Sequence, residues 1–517
     1  MLKTRLLPHI WFSWLFLILG AFFGLLYAVQ LLGYGVDLLR PDLARALHLS
    51  LMLYGFAPLM LSVLPFALFE KEGVLKEAAL NDLERYFFVW YIFLAFLIFS
   101  LLSGNTRGLP FYDFPYALNG ILALAGLFYI AAIIRTVKVY THKPLWVKVS
   151  LFLVIVSPFA LLLLMNPDYG QVEKMLQGPH GDNTLGMSFA LLAIYYLAIK
   201  QASDTITFST RWHFLWMVPL GFYALSVFYR SFIGNLSYNA EWFLQYLTLL
   251  YLPILYRWWK DARLDVKRHK TLLISILAFL FVDVEGNILF IPQLRELFHR
   301  NDLVVGHAHI AVGIGVLFLA LAIIEPFFRL SRGQRYYLAA MLIGMGFVLS
   351  ISGISQAGFI SVDIETVWYL RALFGILFFG GLFMGYTEEL VSFLKQMTPI
   401  RWYHTAGFLS DGIGGLLLLF FGGWIYAVIG AAYHPGYQQI VFGFVTGVGM
   451  LHLAGIFMRN NASQMAMATV LLRTITAAGF FALYEAGVLG WIALAVTITD
   501  MTFVLVYLTI IYRRETK

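Results

Sequence analysis

Two histidines one residue apart, His307 and His309, carry the most chemical information in the sequence. They stand in Val305-Gly306-His307-Ala308-His309, at the start of an apolar run long enough for a membrane helix. Residues two apart on a helix point about 200° apart, so these imidazoles face opposite sides of one rod. Placing two imidazoles in apolar surroundings is costly without strong partners. One ring per side suits a helix lying between two flat cofactors. A pair of core histidines satisfied by hydrogen bonds fits the spacing equally well. Zinc is a poorer match, because chelation wants both rings on one face, at i and i+4.

A third histidine, His48, sits in Arg45-Ala46-Leu47-His48 near the start of another apolar run. Alone it reads as a structural residue. The two runs are expected to start on the same side of the membrane and travel in the same direction, which places His48 well for sharing a cofactor with a histidine of the later run. His9, His142, His269 and His434 fall in loops or at run ends, where interfacial polar residues are ordinary.

The elements that must position these side chains are set by composition. The chain has 517 residues, of which 61% are hydrophobic and 12% charged; mean hydropathy is +0.80. A water-soluble fold of this length has no way to bury so much apolar surface. Sixteen apolar stretches, from 10–34 to 488–512, are each long enough to cross about 30 Å of hydrocarbon. The fold class expected is therefore all-α, a polytopic transmembrane helix bundle. There are no cysteines, which excludes disulfides, covalently attached c-type heme, iron–sulfur clusters and thiolate chemistry.

Basic residues fall in every second loop: Lys71, Lys76 and Arg85; Arg135 and Lys138; Arg257, Lys260 and Arg263; Arg329, Arg332 and Arg335. Together with Lys3 and Arg5 at one end and Arg513, Arg514 and Lys517 at the other, they place both termini in the cytoplasm. The +7 net charge is accounted for by this orientation signal, and no nucleic-acid partner is expected. A boundary near 395–403 divides a twelve-span unit, 1–395, from a four-span unit, 396–517.

The stretch from Glu285-Gly286 through Leu297-Phe298-His299-Arg300-Asn301-Asp302 to Val305-Gly306-His307-Ala308-His309 resembles the cbb-type (C-family) heme-copper oxidase catalytic subunit. Arg45-Ala46-Leu47-His48 with Tyr54-Gly55-Phe56 is similar to that family's second helix, and Trp368-Tyr369-Leu370-Arg371 with Phe374-Gly375 to its last core helix. The likeness covers roughly residues 10 to 395. It implies a twelve-span heme-copper-oxidase-like core with four extra C-terminal spans, in a bacterial or archaeal inner membrane. It implies two b-type hemes. His48 and His309 would be the axial ligands of a low-spin heme, and His307 the proximal ligand of a high-spin one. His299, Asp302 and Arg371 match positions near the heme propionates. A cytochrome c-type or quinol electron donor and other respiratory-complex subunits are the implied partners, with membrane lipid around the bundle.

The sequence departs from that family where copper should bind. In His180-Gly181-Asp182-Asn183, Asp182 stands where a histidine is expected, and the adjacent histidine pair of span seven is replaced by Val227-Phe228-Tyr229-Arg230-Ser231. A carboxylate, a tyrosine and a permanent cation make a poor cation site, so copper is expected to be absent. Asp182 and Arg230 are expected to pair over the high-spin heme, or Arg230 to reach the interface instead. Asp182, Tyr229 and Arg230 are the candidates for proton supply or electrostatic stabilisation there.

In the C-terminal unit, His404 and His452 are candidates for a further cofactor, and Arg473 for pairing with Glu485 or Asp500. Three functions follow as expectations: an oxidoreductase passing electrons to a heme that binds oxygen or nitric oxide; a non-catalytic heme subunit for electron relay or gas binding; and a heme-free transporter or assembly factor.

Overall fold

The structure, a computed structural model, describes residues 1–34, 39–108, 112–139, 181–203, 210–298, 301–384, 397–457 and 462–515, with 151, 154, 155 and 395; the side chains of 181–184, 187, 210–214, 231, 457 and 511–515 are outside this set. Among the described residues there is no strand. The chain is an all-α multi-pass membrane bundle, and twelve of its described helices are long and apolar enough to cross a bilayer. They coincide with expected spans one to four and nine to sixteen. Span five, 146–165, lies outside the described residues except at 151, 154 and 155. Spans six, seven and eight are helical over their described residues, span six with an apolar stretch Ser188–Ala202.

The chain divides into two compact units, Met1–Gly385 and Tyr386–Lys517. The first opens with α1 (Leu2–Leu31), α2 (Pro41–Lys71), α3 (Glu77–Leu102) and α4 (Tyr116–Val137). Next come α5 (Gly181–Ala202) and α6 (Thr210–Phe232). The rod α7 is built from Tyr238–Tyr246, Leu247–Leu250 and Tyr251–Asp261. After α8 (Lys270–Leu289) and the short α9 (Pro292–Phe298), α10 (Asp302–Ile324), α11 (Arg332–Gln356) and α12 (Ile364–Met384) complete the unit.

Helix α1 starts eight residues before the first apolar stretch (Leu2 against residue 10) because its polar first turns have partners. Arg5 pairs with Glu84 at 2.7 Å and Glu77 at 3.3 Å, and the Met1 amino group pairs with Glu70. Lys200 meets Glu72, and Lys71 donates to the Gln201 and Ser203 carbonyls. These contacts gather the basic ends of α1, α2, α3 and α5 at one end of the bundle, as alternating basic loops require.

Apolar packing in the middle of this unit joins α5, α7, α8 and α10 through Leu192, Tyr195, Tyr251, Ile254, Phe279 and Leu319. Lipid tails are as apolar as these side chains, so close packing and internal hydrogen bonds hold such helices together. Glycines on α10 and α11 show how close the contact is. A Cβ on Gly353 would lie 2.2 Å from the Leu303 backbone nitrogen, and one on Gly306 would lie 2.9 Å from the Gly346 carbonyl.

The second unit holds α13 (Pro399–Val428), α14 (Tyr437–Phe457), α15 (Ala462–Glu485) and α16 (Trp491–Glu515). Large apolar side chains such as Phe444 and Ile475 lie on the outside of these helices, as expected for surfaces meeting lipid.

Candidate heme sites

His48 lies in the second turn of α2, which begins with proline at its first position and aspartate in its first turn, a favoured start for a helix. Its Nδ1 is 2.9 Å from the Gly20 carbonyl of α1. Glycine at 24 is what lets α1 pass this close: a Cβ there would meet His48 Nδ1 at 2.5 Å. Four residues after His48, the helix widens into a π turn, Met52–Phe56.

His309 lies on α10, with Nδ1 2.8 Å from the Val305 carbonyl one turn earlier. It opens a second π turn, His309–Val316. Such turns release a carbonyl from the helix and recur at functional sites. The Gly315 carbonyl accepts a 2.5 Å hydrogen bond from Ser275 Oγ of α8, and Ser275 is bonded in turn to Tyr195.

The rings of His48 and His309 have centres 6.1 Å apart and planes within 25°. His9, stacked on Phe87, has its ring centre nearer, at 4.2 Å. An imidazole nitrogen about 2 Å from a metal sets the ring centre about 3 Å from it, so two rings flanking one ion have centres about 6 Å apart. Because Nδ1 of each ring is committed to a carbonyl, each donates from Nδ1 and leaves Nε2 with its lone pair. This tautomer is the one in which histidine binds metal, its second nitrogen oriented by a hydrogen bond. The same arrangement recurs at His307, whose Nδ1 is 3.1 Å from Glu285 Oε2 on α8. The residues present therefore fit two heme irons, one held from both sides and one held from one side.

Asp302 and Arg371, expected near propionates, approach to 3.9 Å. Asp302 also accepts from Ser352 Oγ at 2.6 Å and Gln356 Nε2 at 2.9 Å, and Arg371 lies over the Tyr27 ring. Arg371 is near enough to His48 and His309 to act on both electrostatically. His299, the third of that group, lies outside the described residues.

Arg230, expected to pair with Asp182, pairs with Glu241 of α7 at 2.5 Å, and both side chains are nearly buried. The expected pairing with Asp182 falls on a side chain outside the described residues. Tyr229 stands on the exposed flank of α6. Glu241 and Glu285 are the site residues that sequence reasoning missed. A signal existed for each: an acidic residue in the first turns of a span, and the acidic half of a Glu-Gly pair, both costly in apolar surroundings unless partnered.

In the second unit, Arg473 of α15 bonds Asp500 of α16 at 2.5 Å, the pairing expected, and also Asp411 of α13 at 2.6 Å. His404 and His452 are hydrogen-bonded to each other through Nδ1, and His404 Nε2 meets the Ala462 carbonyl, so of their four ring nitrogens His452 Nε2 alone lacks a hydrogen bond among the described residues. Compared with models of known protein families and with curated proteins, the sequence matches none of them.

Proposed function

We propose that this chain is a diheme b subunit of a respiratory complex, an oxidoreductase in the inner membrane with both termini in the cytoplasm. His48 and His309 hold the low-spin heme, and His307 holds a second heme that keeps one coordination position open. The observation that carries this is the 6.1 Å separation of two imidazoles whose Nδ1 atoms are both tied to carbonyls.

When bound, the hemes supply one-electron transfer and, at the open position, a place for oxygen or nitric oxide. The chain's own residues prepare the two sites differently. Backbone carbonyls orient His48 and His309 without adding charge. Glu285 sets a carboxylate behind His307, which raises the basicity of that ligand. Asp302 and Arg371 fix a charged edge near the first site, where Arg371 can donate to a propionate. Arg230 and Glu241 place a buried ion pair on α6 and α7, where the resembled family carries copper ligands. The electron donor is proposed to be a cytochrome c-type protein or a quinol.

A non-catalytic relay or gas-binding subunit is the second reading. It is favoured by Arg230, a permanent cation held by Glu241 and unsuited to ligating a metal. Purified protein separates the readings. Metal analysis and reduced-minus-oxidised spectra should give two b hemes per chain, one of them binding carbon monoxide. Oxygen or nitric oxide consumption with a reduced donor then marks an enzyme, and binding without turnover marks a relay. Protein lacking a Soret band would refute both.

A further inference from the structure

The second unit contains a buried polar cluster that the heme sites do not use. His404 on α13 and His452 on α14 have no exposed surface. Glycines admit both rings: a Cβ on Gly407 would lie 2.4 Å from His452, and one on Gly455 2.4 Å from His404. Next to them, a π turn, Phe408–Ile413, carries Asp411. Arg473 bridges Asp411 and Asp500, with its guanidinium 3.8 Å over the Phe503 ring.

The hydrogen bonds fix where protons sit. The Ala462 carbonyl can only accept, and His404 Nε2 is 2.7 Å from it, so Nε2 of His404 is protonated. His404 Nδ1 is then a lone pair when the ring is neutral. It lies 3.1 Å from His452 Nδ1, so His452 Nδ1 carries a proton and donates it. This leaves His452 Nε2 as a lone pair. That nitrogen is fully buried without a hydrogen-bond partner among the described residues, where the nearest carboxylate oxygen, Asp411 Oδ2, is 3.8 Å away. Two acceptors therefore face one another in a membrane interior, where opposed lone pairs are costly.

Charge points the same way. Among the described residues, Asp411 and Asp500 set two carboxylates against the single guanidinium of Arg473, leaving one negative charge unbalanced. Among the described residues, Tyr403 on α13 and Tyr507 on α16 are the remaining titratable groups packed around the cluster. One added proton cures both defects: it turns the facing acceptors into a donor and an acceptor, and it neutralises the cluster.

We propose that the His452–Asp411 pair is a buried binding site for one exchangeable proton, taken from the aqueous phase and held between His452 Nε2 and the Asp411 carboxylate. Asp411 is the more open member of the pair, since its side chain keeps 12% of its surface while that of His452 keeps none. On uptake, His452 Nε2 or Asp411 gains a hydrogen and the cluster charge rises by one. This site does not depend on the hemes of the first unit.

The test uses the full chain in lipid vesicles with nitrogen-15-labelled histidine. The His452 signals, identified by their loss in His452→Gln, and the infrared carboxyl band that vanishes in Asp411→Asn are followed against pH. We expect one of the two groups to gain a proton in a single step as pH falls. Asp500→Asn, which removes one negative charge without touching His452, should weaken proton binding at least tenfold. The proposal is overturned if His452 Nε2 stays unprotonated and Asp411 ionised throughout, or if Asp500→Asn leaves the midpoint unchanged. The infrared band in the unmodified chain is an independent measure should His452→Gln not fold.

Discussion

His48 and His309 hold their ring planes within 25° of one another across a 6.1 Å gap between centres, each ring fixed by a backbone carbonyl. A gap of this size is also the spacing of two imidazoles that flank a single metal ion.

His48→Ala and His309→Ala should each abolish the low-spin heme while sparing the one on His307. About half of the heme would remain, still able to bind carbon monoxide. Heme extraction and reduced spectra check this. Equal loss of both hemes from either variant would mean the sites are not separate.

Gly24→Ala should produce a milder form of the same defect. The added methyl would stand 2.5 Å from His48 Nδ1, and over-packing of this kind costs about 1–3 kcal/mol. The ring must turn away from the Gly20 carbonyl and lose its orientation. The low-spin signal should broaden or weaken with helix content unchanged; an unaltered signal would show that α1 does not hold the ring.

Glu285→Gln should keep the heme on His307 and raise its midpoint potential. The neutral amide no longer reinforces ligand basicity, which disfavours the oxidised metal. The shift is expected in tens of millivolts, a tenfold change in relative affinity being about 59 mV for one electron. A redox titration that finds the potential unmoved would show that the 3.1 Å contact plays no part in tuning.

Arg473→Ala should destabilise the second unit. It leaves two buried carboxylates, Asp411 and Asp500, without their cation, and breaking a buried pair costs about 3–5 kcal/mol. Thermal unfolding in lipid is the measurement. Combining Arg473→Ala with Asp411→Asn and Asp500→Asn should recover most of the loss.

The placement of the proposed heme ligands could be read in part from the sequence, because spacing fixes the directions of residues on one helix. His307 and His309 face opposite sides of any helix two residues apart, and the basic loops put His48 at the matching end. The partners were less legible. Glu285 meets His307 across twenty-two positions and Glu241 meets Arg230 across eleven, and both contacts depend on how neighbouring helices are rotated. Helix rotation is set by glycine contacts such as Gly353 on Leu303 and by the π turns at Met52 and His309, which apolar periodicity does not reveal. Asp411 escaped notice for the same reason: its turn belongs to a π segment. The start of α1 was placed late because hydropathy does not register the ion pairs of Arg5.

An experimental density map of the purified protein tests the central claim most directly. The account predicts a planar macrocycle edge-on between α2 and α10, its iron midway between His48 and His309, and a second macrocycle on the opposite side of α10 against His307. A map in which the His48 and His309 rings touch each other, or are bridged by water alone, would contradict it.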